Sequence, residues 1–475
     1  MSADTRGEAT PRSEAPGAPG APDSKLKKGI TGPLLFLFIL GDVLGAGIYA
    51  LMGVLAGQVG GALWAPLAAA LLLALLTAGS YAELVTKYPK AGGAAIFAER
   101  AFKTPVISFL VGFSMLAAGV TSAAGLALAF AGEYLQTFLP VPSIPAAMVF
   151  LVLVAALNAR GISESVMSNV VMTVVEVSGL VIVVVVVGLL LGGGGGDVSR
   201  IGQFPEGVSP ALAILGGAIV AYYSFVGFET SANVAEEVKD PSRVYPRALF
   251  GALLTAGVVY ILVGIASSIA LSADELSDSS GPLLAVVAAS GVPIPHWLFS
   301  AIALVAVANG ALLTMIMSSR VTYGMAEQGL LPSVLGRVLP RRRTPWVAIV
   351  ATTAVAMLLT LIGDLETLAS AVVLLLLFVF ISTNVAVLVL RRDKVDHKHF
   401  RIWTPIPILG VASCILLLTQ QEPLVWAYGG GFVALGLLLY GISRVAGRGQ
   451  RASESSGSSD ASDASGSSDR GPSVR

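Results

Sequence analysis

Cysteine is almost missing from this sequence. Cys414 stands alone among 475 residues, which excludes an internal disulfide, a thiol pair for redox work and a cysteine-based metal cluster. Histidine is nearly as scarce. The three present, His296, His397 and His399, are too few and too badly spaced for a metal site, and His397 and His399 read as part of a solvated basic loop. Charge is thin at 12%, and 29 basic residues balance 29 acidic ones, so nothing argues for nucleic acid as a partner. There is no paired-aspartate, Ser/His or metal constellation of an enzyme, and no cofactor is implied. What fills the chain instead is apolar. A hydrophobic content of 55% and a mean hydropathy of +0.82 are those of an integral membrane protein, with the lipid bilayer as its solvent.

Residues 1–29 begin with an Ala/Pro/Gly/Glu-rich stretch and read as a disordered cytoplasmic tail, and the Ser/Asp-rich residues 446–475 read as another. Between them, 30–445 form a single membrane domain. The first apolar run, after Lys25, Lys27 and Lys28, is too long and too glycine-broken for a signal peptide and stays as a span. A membrane span needs about 20 apolar residues. Cutting at charged and Pro/Gly loops predicts twelve: 33–57, 62–86, 106–136, 144–160, 168–192, 211–237, 246–271, 297–324, 346–362, 367–390, 406–420 and 424–443. Charge tests that count. Of the 29 lysines and arginines, Arg200 alone falls in the loops that an inside N-terminus places outside, whereas Arg341–Arg343 and Arg391–Arg392 fall inside. Both termini are therefore expected in the cytoplasm of a multi-pass protein of the cell membrane.

Two spans are oddly built. Leu40-Gly41-Asp42-Val43-Leu44-Gly45-Ala46-Gly47-Ile48-Tyr49 carries three glycines and a carboxylate inside span 1. Each glycine costs a helix roughly 1 kcal/mol against alanine, and a carboxylate at mid-membrane costs about 2.5–3.5 kcal/mol on insertion scales. Tyr222-Tyr223-Ser224-Phe225-Val226-Gly227-Phe228-Glu229 repeats the pattern in span 6. Close helix packing through small residues accounts for any one of these glycines. The pair, each beside a carboxylate and five spans apart, points to two helices that break mid-membrane around a ligand. Because five is odd, the second set of five spans is inverted relative to the first: repeat 1 at about 33–192, repeat 2 at about 211–390, and two added helices at about 406–443.

Three motifs now carry a family resemblance over roughly residues 30–445. Gly45-Ala46-Gly47-Ile48-Tyr49 is close to a G-x-G-I-F signature. Ser80-Tyr81-Ala82-Glu83-Leu84 with Pro89-Lys90-Ala91-Gly92-Gly93 resembles S-Y-A-E-L…P-x-A-G-G. Phe225-Val226-Gly227-Phe228-Glu229 with Ala235-Glu236-Glu237, Pro241, Arg243 and Pro246-Arg247 resembles F-x-G-F-E…A-E-E…P-x-R…P-R. In this order and in these spans they resemble the amino acid–polyamine–organocation (APC) superfamily of permeases. That resemblance implies an all-α membrane fold of the leucine-transporter type, a 5+5 inverted repeat with discontinuous helices 1 and 6. It also implies secondary transport of an amino acid, proton-coupled or run as exchange.

Carried over by position, the backbone of Gly45, Ala46, Gly47 and Ile48 would take a substrate carboxylate at the start of a half-helix, where about half a positive charge resides. Carbonyls around Tyr223–Val226 and near Asp42–Val43 would face the ammonium, with Phe225 and Phe228 as lid or wall beside Gly227. Asp42 departs from the family pattern. It either serves a hydroxyl or amide inside the bundle or meets a substrate ammonium or a proton. Glu176 stands in span 5, near where relatives resemble one another in carrying a lysine. It cannot imitate a cation, but it could carry a proton or ligate a cation. Glu229 is expected to accept hydrogen bonds from amides freed at the span 6 break. Glu83, Glu236 and Glu237 read first as solvated pairs near the inner face, with an inner gate as the alternative. Thr121, Ser122, Asn309, Thr314, Ser318 and Asn384 are candidate cavity-lining groups, Asn309 with a coupling or gating role. A channel would need a continuous pore, and a sensor would need a relay domain. The sequence therefore reads as a transporter, with a neutral or cationic amino acid first and a polyamine next.

Overall fold

The computed structural model describes residues 30–89, 93–160, 166–340, 342 and 344–464. Residues 1–29 and 465–475, and Lys90-Ala91-Gly92 of the second motif, lie outside the described residues. The chain is all-helical, with only an isolated bridge between Ile30 and Val238 among the described residues. Among the described residues, nine stretches are long and apolar enough to cross a membrane, and Ser143–Ala159, Trp346–Ile362 and Pro405–Leu418 are shorter apolar helices. Together they occupy the twelve expected places. Proline opens several of them, at Pro105, Pro210, Pro241 and Pro423. There its missing N–H leaves no helical bond unmade and its fixed φ suits the first turn.

Span 1 is two helices, Gly32–Leu44 and Ala46–Val59, and span 6 is Pro210–Tyr223 followed by a 3-10 helix, Phe228–Glu237. The intact spans are 2 (Trp64–Lys87), 3 (Pro105–Phe130), 5 (Val166–Gly192), 7 (Pro241–Ala270), 8 (His296–Glu327) and 10 (Leu365–Leu390), with 4, 9 and 11 the three shorter helices. The last helix runs Pro423–Ala464, of which Pro423–Ser443 is the apolar part. Its backbone stays helical into the Ser/Asp-rich stretch that composition reads as a flexible tail. Ser, Asp and Ala cost a helix at most about 0.7 kcal/mol each.

The packing repeats itself under exchange of the two sets of five. Span 1 packs on span 7 as span 6 packs on span 2, and span 3 meets span 10 as span 8 meets span 5. Linkers agree. A short helix, Gly93–Phe102, joins spans 2 and 3 at the end rich in lysine and arginine, and Ala273–Ser277 with Pro282–Ala289 join spans 7 and 8 at the opposite end. Two halves of one design, one upside down, leave their broken members facing each other at the centre.

Candidate functional site

Gly45 interrupts span 1 with φ −52° and ψ −150°, so the helix stops at Leu44 and restarts at Ala46. Carbonyls at the end of one half and N–H groups at the start of the next have no partner within their own helix. Span 6 leaves its helix after Tyr223 and turns at Gly227, whose φ of +126° belongs to a region that side chains rarely enter. Space demands glycine there as well: a Cβ on Gly227 would stand 2.7 Å from the Asp42 carbonyl oxygen. A Cβ on Gly47 would stand 2.8 Å from Ser224 Cα, so the two breaks touch through bare backbone.

A cavity of about 600 Å³ opens at this crossing. Asp42, Val43, Gly45, Gly47, Tyr223, Ser224, Val226, Gly227, Glu229 and Thr230 line it at the breaks, with Ser122 of span 3 and Thr314 of span 8 across from them. From there it reaches Glu99, Arg320 and Gln328, which are exposed at the basic end. The opposite end is closed. Gln58 donates to Glu366 between spans 1 and 10, and Tyr134 donates to the Tyr49 carbonyl at 2.9 Å. Glu133 accepts from Ser279 Oγ at 2.8 Å and from the Ser280 amide at 3.2 Å.

The polar groups at the crossing are tied to one another. Thr230 Oγ1 contacts the Asp42 carboxylate and, at 2.8 Å, the Gly227 carbonyl. Glu229 accepts the Gly227 amide at 2.9 Å, which holds the turn from below. Tyr223 and Ser122 share a hydroxyl–hydroxyl bond of 2.8 Å between spans 6 and 3. Glu176 lies outside the cavity lining, fully buried between spans 5 and 8. Asn309 donates to its Oε1 at 3.0 Å, and its Oε2 has no hydrogen-bond partner among the described residues. Beside it, Tyr49 donates to the Glu176 backbone carbonyl at 2.6 Å.

Other expected lining groups sit elsewhere. Phe225 packs on Tyr260 with ring centroids 5.2 Å apart, and Phe228 packs on Phe380 and Tyr81 at 5.5 and 5.7 Å. Both rings are fully buried behind the break, where packing against other apolar groups favours them over a wet cavity wall. Ile48 is buried too, and Ala46 begins the second half-helix. Thr121 and Ser318 bond carbonyls one turn back, and Asn384 forms a cluster with Ser80 and Thr77. Glu83 corrects the reading of it as a solvated pair. It is buried and accepts from Arg391 Nε at 2.8 Å, from Arg391 Nη2 at 2.7 Å and from the Ile402 amide at 3.0 Å. Glu83 holds the Arg391 guanidinium above its usual range by hydrogen bonding. The motif glutamate of span 2 thus anchors the 391–404 linker.

A family model described as amino acid permease matches residues 32–430. An uncharacterised transporter of Mycobacterium tuberculosis is 28% identical over 421 residues, 88% of this chain and 91% of the relative. The low-affinity putrescine importer PlaP of Escherichia coli is 28% identical over 401 residues, 81% of this chain and 87% of the relative. The vacuolar cationic amino acid transporter 4 of Arabidopsis thaliana is 30% identical over 384 residues, 75% of this chain and 62% of the relative.

Proposed function

We propose, from the fact that this chain belongs to the amino acid permease family, that it carries a cationic amino acid or a diamine across the cell membrane by alternating access, coupled to protons. The coarser statement, a multi-pass transporter of amino acids or polyamines, follows from the family and its relatives. The observation that carries the finer one is the meeting of both helix breaks at one cavity with Asp42 on its wall. A substrate carboxylate is assigned to the amides at Gly45–Ile48, which open a half-helix. Its ammonium is assigned to Asp42 and to the carbonyls of spans 1 and 6. Among the described residues, the acidic lining groups Asp42, Glu229 and Glu99 are accompanied by one basic group, Arg320. That balance favours a positively charged substrate, and relatives named for cationic amino acids and putrescine support the same choice.

Glu176 is the assigned proton carrier. A carboxylate with one oxygen on Asn309 and the other unpartnered holds a proton in one state and releases it in another at small structural cost. The positive-inside distribution of lysine and arginine supports an orientation with both termini, and the open mouth of the cavity, on the cytoplasmic side. Uptake of labelled lysine, arginine and putrescine into proteoliposomes tests the proposal. Accumulation driven by an inward proton gradient is expected. Movement only when the vesicles are preloaded establishes exchange and removes the proton role of Glu176. Binding without movement under both conditions refutes transport.

A further inference from the structure

We infer that the linker between spans 10 and 11 forms a headgroup site for an anionic phospholipid, with Trp403 as its anchor and Arg247, Lys398 and Arg401 as its cations. The linker is held in shape from below. Arg391, paired with Glu83, also donates to the Thr404 hydroxyl at 2.8 Å and the Ile402 carbonyl at 2.7 Å. The Phe400 amide donates to Thr86 Oγ1 and the Ile402 amide to Glu83, both at 3.0 Å. Burial alternates along this pinned segment. Phe400 packs on Phe250 of span 7 with ring centroids 6.1 Å apart, and Ile402 is buried, whereas Arg401 and Trp403 are exposed. Arg247 is exposed too, one helical turn before Phe250 on roughly the same face, so the ring contact brings a cation of span 7 to the rim of the linker.

Among the described residues, the salt bridges are Arg200–Asp197 and Arg391–Glu83, and neither uses these three cations. The acids of the linker are Asp393, which accepts from the Tyr88 hydroxyl at 2.7 Å, and Asp396. Arg392, Lys394, Lys398 and Arg401, all exposed, outnumber them. Trp403 sets the depth. It is 75% exposed, and span 11 starts two residues later at Pro405 with Ile408 and Leu409 each 53% exposed. An exposed indole just outside an exposed apolar helix belongs at headgroup level, its ring on acyl chains and its N–H on a phosphate or ester oxygen. Cations at that level attract anionic lipid. A zwitterionic lipid offers the same chains and phosphate but adds an ammonium that the cations repel. The site rests on the membrane character of the family and on no part of the proposed substrate or coupling.

The test reconstitutes the full chain in phosphatidylcholine vesicles doped with phosphatidylglycerol brominated near the carboxyl ends of its acyl chains, or with phosphatidylcholine brominated in the same way. Quenching at Trp403 is read as the emission of wild type minus that of Trp403→Phe. Association with the brominated phosphatidylglycerol is expected to exceed that with brominated phosphatidylcholine by about tenfold at low salt and to shrink as salt is raised. One juxtamembrane cation accounts for about fivefold, so Arg401→Gln should lose that much and the triple variant with Lys398→Gln and Arg247→Gln should approach no preference. Arg401→Gln alone decides the matter if the triple variant does not fold. Lys103→Gln with Arg337→Gln removes two exposed cations elsewhere at the basic end and is expected to leave the preference intact. Equal quenching by the two lipids, or a preference that Arg401→Gln leaves unchanged, overturns the site. Equal loss in the control pair reduces it to general surface charge, and reversal by inorganic phosphate shows an anion site that is not specific to lipid; either result also overturns it.

Discussion

Gly227→Ala places one methyl group at the most constrained point of the site. The backbone there has φ +126°, and the new Cβ would meet the Asp42 carbonyl oxygen at 2.7 Å and its carbon at 3.0 Å. Holding a side chain in that sparsely populated region costs about 1–3 kcal/mol. The overlap is with backbone, which cannot rotate aside as a flexible side chain would, and overpacking of this kind adds about 1–3 kcal/mol. Taking about 3 kcal/mol as a central figure, the population with both breaks in contact falls on the order of 100-fold. Gly216→Ala is the matched control, on the helical half of the same span, where a Cβ meets open space. There alanine is neutral or stabilising by up to about 1 kcal/mol. Proteoliposome uptake of lysine and putrescine, with thermal unfolding of each purified variant, separates the two. Uptake is expected to disappear in Gly227→Ala and persist in Gly216→Ala. If both variants transport within threefold of wild type, the close approach of the breaks has no functional weight and the reasoning is refuted.

Glu176→Gln should abolish gradient-driven uptake yet retain exchange between preloaded compartments, and unchanged pH dependence in that variant would sink the proton role. The loop carboxylates do not confuse this assay. Asp197 is held below its usual range by the Ser199 hydroxyl and amide, and Glu275 by the Ser272 amide and hydroxyl. For depressed groups the stabilisation is present above the unfolded value, near 4, and lost only as pH falls through the folded one, so pH 5–8 leaves both caps intact. Asp42→Asn should weaken binding of lysine and putrescine about tenfold while leaving neutral amino acids unaffected; equal losses for both classes would remove Asp42 from cation selection. Glu83→Gln leaves the Arg391 guanidinium, 11% exposed, without its charge partner. Losing one member of a buried pair costs about 3–5 kcal/mol, so the unfolding temperature should drop by several degrees and be partly restored in the double variant with Arg391→Gln. An unfolding temperature within 1 °C of wild type in the single variant would contradict the burial argument.

The helix breaks were legible because glycine and a mid-span carboxylate announce themselves locally, at Gly45, Gly47 and Gly227, without knowledge of any neighbour. The basic loops were legible for a similar reason, since each charge reports its own side of the membrane. Partners remote in sequence were not. Glu83 finds Arg391 across 308 residues, and nothing near Glu83 in the chain distinguishes a buried anchor from a solvated charge. Phe225 and Phe228 went the other way. Their place beside Gly227 suggested a lid, but the turn at Gly227 decides which side of span 6 they occupy, and that turn is a matter of geometry rather than composition.

The two ends of the molecule differ in the kind of bond that holds them, and this bears on which of them opens. At the end away from the basic loops, closure rests on Gln58–Glu366, the Glu133 contacts with Ser279 and Ser280, and Tyr134 on the Tyr49 carbonyl. Individual hydrogen bonds of this sort contribute about 0.5–1.5 kcal/mol net, so the set amounts to a few kcal/mol. A substrate bound with micromolar affinity contributes about 8 kcal/mol, so a modest difference in its affinity between two states is enough to open or close this end. At the basic end, Glu83 and Arg391 join span 2 to the 391–404 linker, and Lys87 Nζ reaches the carbonyls of Leu390 and Asp393 at 2.5 and 2.6 Å. Breaking that assembly would strand buried charge, at about 3–5 kcal/mol for the Glu83–Arg391 pair alone, against about 0.5–1.5 kcal/mol for each hydrogen bond at the other end. On the proposed alternating access, span 2, the end of span 10 and the linker are therefore expected to move as one piece.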